Sequence, residues 1–170
     1  MIGGSATGNS AAQEGGGLWN DIGGTMTIRG VSITGNTASG SASDQGGGGV
    51  FNNGGTVAIL NNITTATVIS NNIANGSAGS GGGILNDGGT LNITGATISM
   101  NSAARAGGGI EATTANSRAS TITLTRTNVT NNIAASNPGN GGGVHITEPA
   151  GCALPTPSNY RGAIHREPAP

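Results

Sequence analysis

Few side chains in this sequence can trade protons or hold a metal. Its 170 residues contain seven carboxylates (Glu14, Asp21, Asp44, Asp87, Glu111, Glu148 and Glu167), two histidines (His145 and His165) and one cysteine, Cys152. Acid–base cleavage of a glycosidic bond needs two carboxyl groups facing each other across it, and calcium-assisted chemistry needs several oxygen ligands converging on one point. The histidines are far apart in sequence, and Cys152 has no second cysteine to pair with. Neither a nucleophile–base pair nor a metal site is expected from them, and the thiol says nothing about redox compartment. The glycine runs are followed by no Lys-Ser/Thr, so they are not phosphate loops. The nonapeptide calcium pattern GGxGxDxUx does not occur either.

Whether any of these groups meet depends on the elements that carry them, and those elements repeat. Glycine triplets start at Gly15, Gly47, Gly81, Gly107 and Gly141, giving spacings of 32, 34, 26 and 34 residues. A fixed internal grammar at such a period marks a solenoid. Columns run down the units: Leu18, Val50, Ile84, Ile110 and Val144 follow the glycines, and Asn20, Asn52, Asn86 and Ala112 come two residues later. Next are Thr25, Thr56, Thr90 and Thr121, opening TMTI, TVAI, TLNI and TITL. A last aliphatic column, Ile33, Ile69, Ile98 and Val129, precedes Asn36, Asn72, Asn101 and Asn132 by three residues, and Ala38, Ala74, Ala103 and Ala134 close the unit.

The period of two makes the segments strands with their aliphatic residues on one face, and nothing repeats at helical spacing. The reading is an all-β, right-handed parallel β-helix of about five coils with three short strands per coil. Handedness follows the general preference of parallel crossovers. Aliphatics stack inward, and the asparagines form structural ladders whose amides bond along the stack. Length differences, about five residues near 61–66 and again near 113–117, fall where loops would bulge from corners. One coil buries too little apolar surface to stand alone, so the array is cooperative along its length.

The columns also locate the chemistry. Asp21 and Asp87 share one, but Asn53 lies between them, which puts them two coils or about 10 Å apart. That suits an inverting carboxylate pair, yet Asp at a turn ordinarily caps its own backbone, and the capping reading is adopted. The residue after the first aliphatic is Trp19, Phe51, Leu85, Glu111 or His145. Alternation points this column outward, so Trp19, Phe51 and Leu85 form a candidate ligand or partner face. The reading given more weight, however, has them packed under neighbouring loops such as 37–46. Outward threonines could suggest an ice-like lattice, but the adjacent column reads Thr27, Ala58, Asn92 and Thr123, which breaks it. A solvated hydroxyl ladder is expected instead.

Composition narrows the partners. Only 8% of residues are charged, the net charge is −1, aromatics make up 2% and there is no lysine. Nothing here attracts nucleic acid or an anionic membrane, and no apolar stretch reaches transmembrane length. No cofactor is expected. The N-terminal residues read as the tail of an earlier coil, Asn9 and Ala11 matching Asn36 and Ala38, without a cleavable signal plan. Residues 1–147 are therefore assigned to the repeats, as a piece of a longer solenoid. Residues 148–170 hold five of the six prolines and read as a Pro-rich C-terminal tail.

The units resemble the right-handed parallel β-helix repeats of bacterial surface proteins, in particular the polymorphic outer-membrane, autotransporter-like passenger domains. The family's GGA-aliphatic motif is matched by GGGL (15–18), GGGV (47–50), GGGI (81–84), GGGI (107–110) and GGGV (141–144). Its FxxN motif is matched by ITGN (33–36), ISNN (69–72), ISMN (98–101) and VTNN (129–132), with Ile or Val in place of Phe. The resemblance covers roughly residues 5–147. It implies an extracellular or cell-surface adhesin segment presenting loops or a side face to glycans or proteins, with no catalytic residues. The same fold class houses polysaccharide lyases and glycoside hydrolases, so the alternative is a fragment of such an enzyme whose catalytic coils lie elsewhere.

Overall fold

The computed structural model describes residues 1–114, 118–136, 138–148 and 164–168. Among them there is no helix, and the strands stack in parallel as a β-solenoid of about four turns. The first sheet contains Leu18–Asn20, Val50–Asn53, Ile84–Asp87, Ile110–Thr113, Val144–Glu148 and Ile164–Pro168. The second, the threonine sheet, contains Thr25–Arg29, Thr56–Leu60, Thr90–Thr94 and Thr121–Thr125. A third runs through Ser5–Thr7, Ser32–Thr34, Val68–Ser70, Thr97–Ser99 and Asn128–Thr130. The fourth is built from two-residue strands: Ser10–Ala11, Thr37–Ala38, Ile73–Ala74, Ser102–Ala103 and Ile133–Ala134.

Four strands per turn replace the expected three, and about four turns replace about five. The missed strand is the alanine column that closes each unit, and two residues are too few to show an alternation. Ile164–Pro168, inside the expected proline-rich tail, pairs in parallel with Val144–Glu148 and continues the first sheet.

The registers match equivalent residues of successive units, so each aliphatic column runs inward through the stack. Val50, Ile84, Ile110 and Val144 form one buried column, and Ile33, Ile69, Ile98 and Val129 another. Each fully buried aliphatic contributes roughly 1.5–3 kcal/mol against exposure.

Two sequence motifs turn out to be one contact. Gly81 opens the third triplet at φ +62, a left-handed corner that disfavours a side chain. A Cβ on Gly83 would sit 2.6 Å from the Gly109 carbonyl oxygen and 3.0 Å from the amide nitrogen of Asn101. The glycine triplet and the asparagine that closes the same unit thus touch across the coil, which is why they recur together.

That asparagine is held on several sides. The Asn72 side chain donates to the Asn101 carbonyl oxygen at 2.9 Å and to the Ile33 backbone carbonyl at 3.0 Å. Its own carbonyl oxygen accepts from the Asn36 side chain at 2.9 Å and the Asn36 backbone N–H at 3.0 Å. Asn101 donates on to Asn132 at 3.0 Å, and Asn9 to Asn36 at 2.9 Å, so the chain of amides crosses five rungs. A second, shorter chain joins Asn20 to Asn52 at 2.8 Å and Asn52 to Asn86 at 2.7 Å. Ala112 stands next in that column and has no amide to continue it.

Candidate functional site

The column following the first aliphatic is in register throughout: Trp19 pairs with Phe51, Phe51 with Leu85, Leu85 with Glu111 and Glu111 with His145. Alternation turns these side chains away from the aliphatic core, yet most of the column is covered. Phe51 is 1% exposed, and Leu85, Glu111 and His145 are wholly buried. The expected exposed face of Trp19, Phe51 and Leu85 is corrected accordingly: of the three, only Trp19 reaches solvent, at 44%. Arg105 joins the segments that run beside this column. Its guanidinium bonds Ser80 Oγ at 3.0 Å, the Ser43 carbonyl at 3.4 Å and Glu111 Oε1 at 3.0 Å.

At the first rung the Trp19 ring lies over Phe51, with centroids 6.3 Å apart and planes within 9°. Its indole N–H donates to Glu14 Oε2 at 3.4 Å. Partial burial raises the pKa of Glu14 above the usual 4.5; the Trp19 bond opposes this and the nearby Asp44 charge adds to it.

At the far end the column becomes ionic. Glu111 Oε2 lies 2.7 Å from His145 Nδ1, and Glu111 Oε1 accepts from Arg105 and, at 3.2 Å, from Thr147 Oγ1. The residue types suit proton transfer, but no surface of Glu111 or His145 reaches solvent, so no substrate reaches them. The arrangement is a buried ionic knot under a loop. Its signal in the sequence is Glu and His adjacent in one column that alternation turns outward.

Asp21 and Asp87 sit in different surroundings. Asp21 Oδ1 accepts the Ile22 backbone N–H at 2.7 Å and the Asn53 side chain at 3.3 Å, so it caps its turn and bonds the residue that separates it from Asp87. Asp87 is buried. Among the described residues no three His, Cys, Asp or Glu side chains converge as metal ligands. No helix among them is long and apolar enough to cross a membrane. Cys152 lies outside the described residues.

Compared with protein families, curated proteins and solved structures, the chain matches none of them.

Proposed function

We propose that this chain is a structural and adhesive segment of an extracellular or cell-surface protein, a solenoid that holds a binding face toward glycans or proteins and performs no chemistry itself. The observation that carries this reading is the half-exposed Trp19 ring backed by the buried Phe51 ring. A flat aromatic stacked on a buried ring is preorganised for stacking on a sugar ring or an apolar partner surface. The repeat motifs, through their resemblance to polymorphic outer-membrane passenger repeats, favour the same setting. The carboxylates support it as well, since Asp21 is a turn cap and Glu111 is sealed.

The test is incubation of the purified chain with a panel of neutral polysaccharides, scoring retention and depolymerisation together. Retention without cleavage, weakened about three- to tenfold in Trp19→Ala, is the expected outcome. Depolymerisation would overturn the reading in favour of a carbohydrate-active enzyme.

A further inference from the structure

We infer a second binding site, on a different corner of the solenoid, for a polyanionic polysaccharide laid along the solenoid axis. A recess of about 490 Å³ opens where the threonine sheet turns into the third sheet, lined by Arg29, Leu60, Asn61, Thr94, Gly95 and Arg126. Its origin is legible rung by rung. In the second turn, residues 61–66 bulge outward at this corner, and all of them are exposed. In the third turn the corner is Gly95, at φ +78, where a Cβ would lie 2.8 Å from the Asn61 amide nitrogen. Asn61 fixes the wall to the floor, donating to the Gly95 carbonyl at 2.8 Å while accepting the Thr67 N–H at 2.8 Å. Arg29 from the first turn and Arg126 after the fourth strand close the two ends.

Charge identifies the occupant. Both arginines line the recess, and among the described residues neither guanidinium is in an ion pair or hydrogen bond. The described ion pairs instead gather at Glu111, under the loops over the first sheet. Arg126 also holds an unusual backbone: its φ is +49, where the same corner of the first and third turns has Gly30 at +60 and Gly95 at +78. A left-handed conformation is costly for an L residue with a side chain, and Asn71, Met100 and Asn131 accept it at another corner. A guanidinium presents a planar fork of donors that matches carboxylate and sulfate alike.

Spacing suits a polymer. Three rungs separate the arginine-bearing strands, about 14 Å at ordinary inter-strand spacing, a span over which successive anionic units of one chain can each meet an arginine. The recess runs across the rungs, and the strands it crosses are already paired on both sides at Thr56–Leu60 and Thr90–Thr94. An acidic peptide therefore finds no strand edge to extend, whereas a hydroxyl-rich chain finds Thr94, with Thr125 next in its column. The inference shares with the proposed function only the glycan class; it uses other residues and another face.

The experiment measures binding of the full chain to oligogalacturonate, to a sulfated oligosaccharide, to polyglutamate and to a neutral glycan. The proteins compared are wild type, Arg126→Gly, Arg29→Ala and Trp19→Ala. The expected result is retention of one or both anionic glycans, salt-sensitive between about 0.05 and 0.3 M. Retention should fall about tenfold with each arginine removed and be unchanged by Trp19→Ala. The two anionic arms tell carboxylate from sulfate. Arg126→Gly keeps the left-handed corner, so its thermal midpoint should equal or exceed that of wild type and lost binding cannot be ascribed to unfolding. No anionic retention, retention indifferent to both arginines, or polyglutamate bound equally well would each overturn the inference. Loss of neutral-glycan retention in Trp19→Ala reads the aromatic face separately.

Discussion

Two columns run the length of this solenoid, and they follow opposite rules. The asparagine column keeps one residue type from Asn9 through Asn132, while the column of Trp19, Phe51, Leu85, Glu111 and His145 changes chemistry along its length. Both are largely buried, so burial does not separate them. What separates them is the origin of the neighbours. An Asn in the ladder meets backbone and amide groups of the rungs above and below, which are the same at every rung. A residue in the second column meets whatever loop its own turn sends across it, and those loops differ in length and composition. Repetition is enforced where the partner is the repeat itself, and relaxed where the partner is an insertion.

The strongest test of that contrast is Asn72→Leu. The substitution keeps the branched shape, in a larger volume, but leaves the Asn36 backbone N–H and side chain, the Asn101 carbonyl and the Ile33 carbonyl each short of a bond in a buried site. Several unsatisfied groups at roughly 1–3 kcal/mol each predict a loss of about 5 kcal/mol or more, measured by urea unfolding. A loss below about 1 kcal/mol would mean that the ladder is decoration on an aliphatic core.

In the other column, apolar residues should be welcome. Glu111→Leu alone strands His145 and Arg105 and is expected to cost about 3–5 kcal/mol in the same assay. The double variant Glu111→Leu/His145→Leu should recover to within about 1–2 kcal/mol of wild type, because Phe51 and Leu85 already show that this column packs apolar side chains. Recovery in the double variant, with none available to the Asn ladder, is the signature of a column governed by its cover.

The same distinction decides how much could be read from the sequence. Strand direction, register and the inward columns were legible because identical residues recur where identical backbones stack. The fourth sheet was not, since Thr37–Ala38 and its equivalents are too short to alternate. The cover over Phe51 and Leu85 was legible only as the reading that packs this column under loops such as 37–46, without the groups that make it. Alternation states which face of a strand a side chain leaves from, and says nothing about what arrives from elsewhere in the chain. Arg105 carries no mark in the sequence of the three groups it joins, two of them 25 and 62 residues away. The recess at Gly95 was half legible: the insertion at 61–66 and the two arginines could be seen, but not their meeting at one corner.

The smallest effect tests the open end of the variable column, where cover is incomplete. Glu14, beside the exposed Trp19, is held above the usual 4.5, chiefly by partial burial and further by Asp44. The sign is fixed: the folded chain keeps this proton to higher pH than the unfolded one. Its contribution to stability is therefore full below 4.5 and is lost as pH rises through the folded value. An NMR titration of the Glu14 side-chain carboxyl should show a midpoint above 4.5 in the native chain. Asp44→Asn should lower that midpoint without returning it to 4.5, because desolvation is the larger cause. A midpoint that returns fully with Asp44→Asn would show that charge, and not cover, sets the environment at this end. The column would then be loop-governed only where Arg105 clamps the loops onto it, and the Trp19 face would be freer to receive a partner than its stacking on Phe51 suggests.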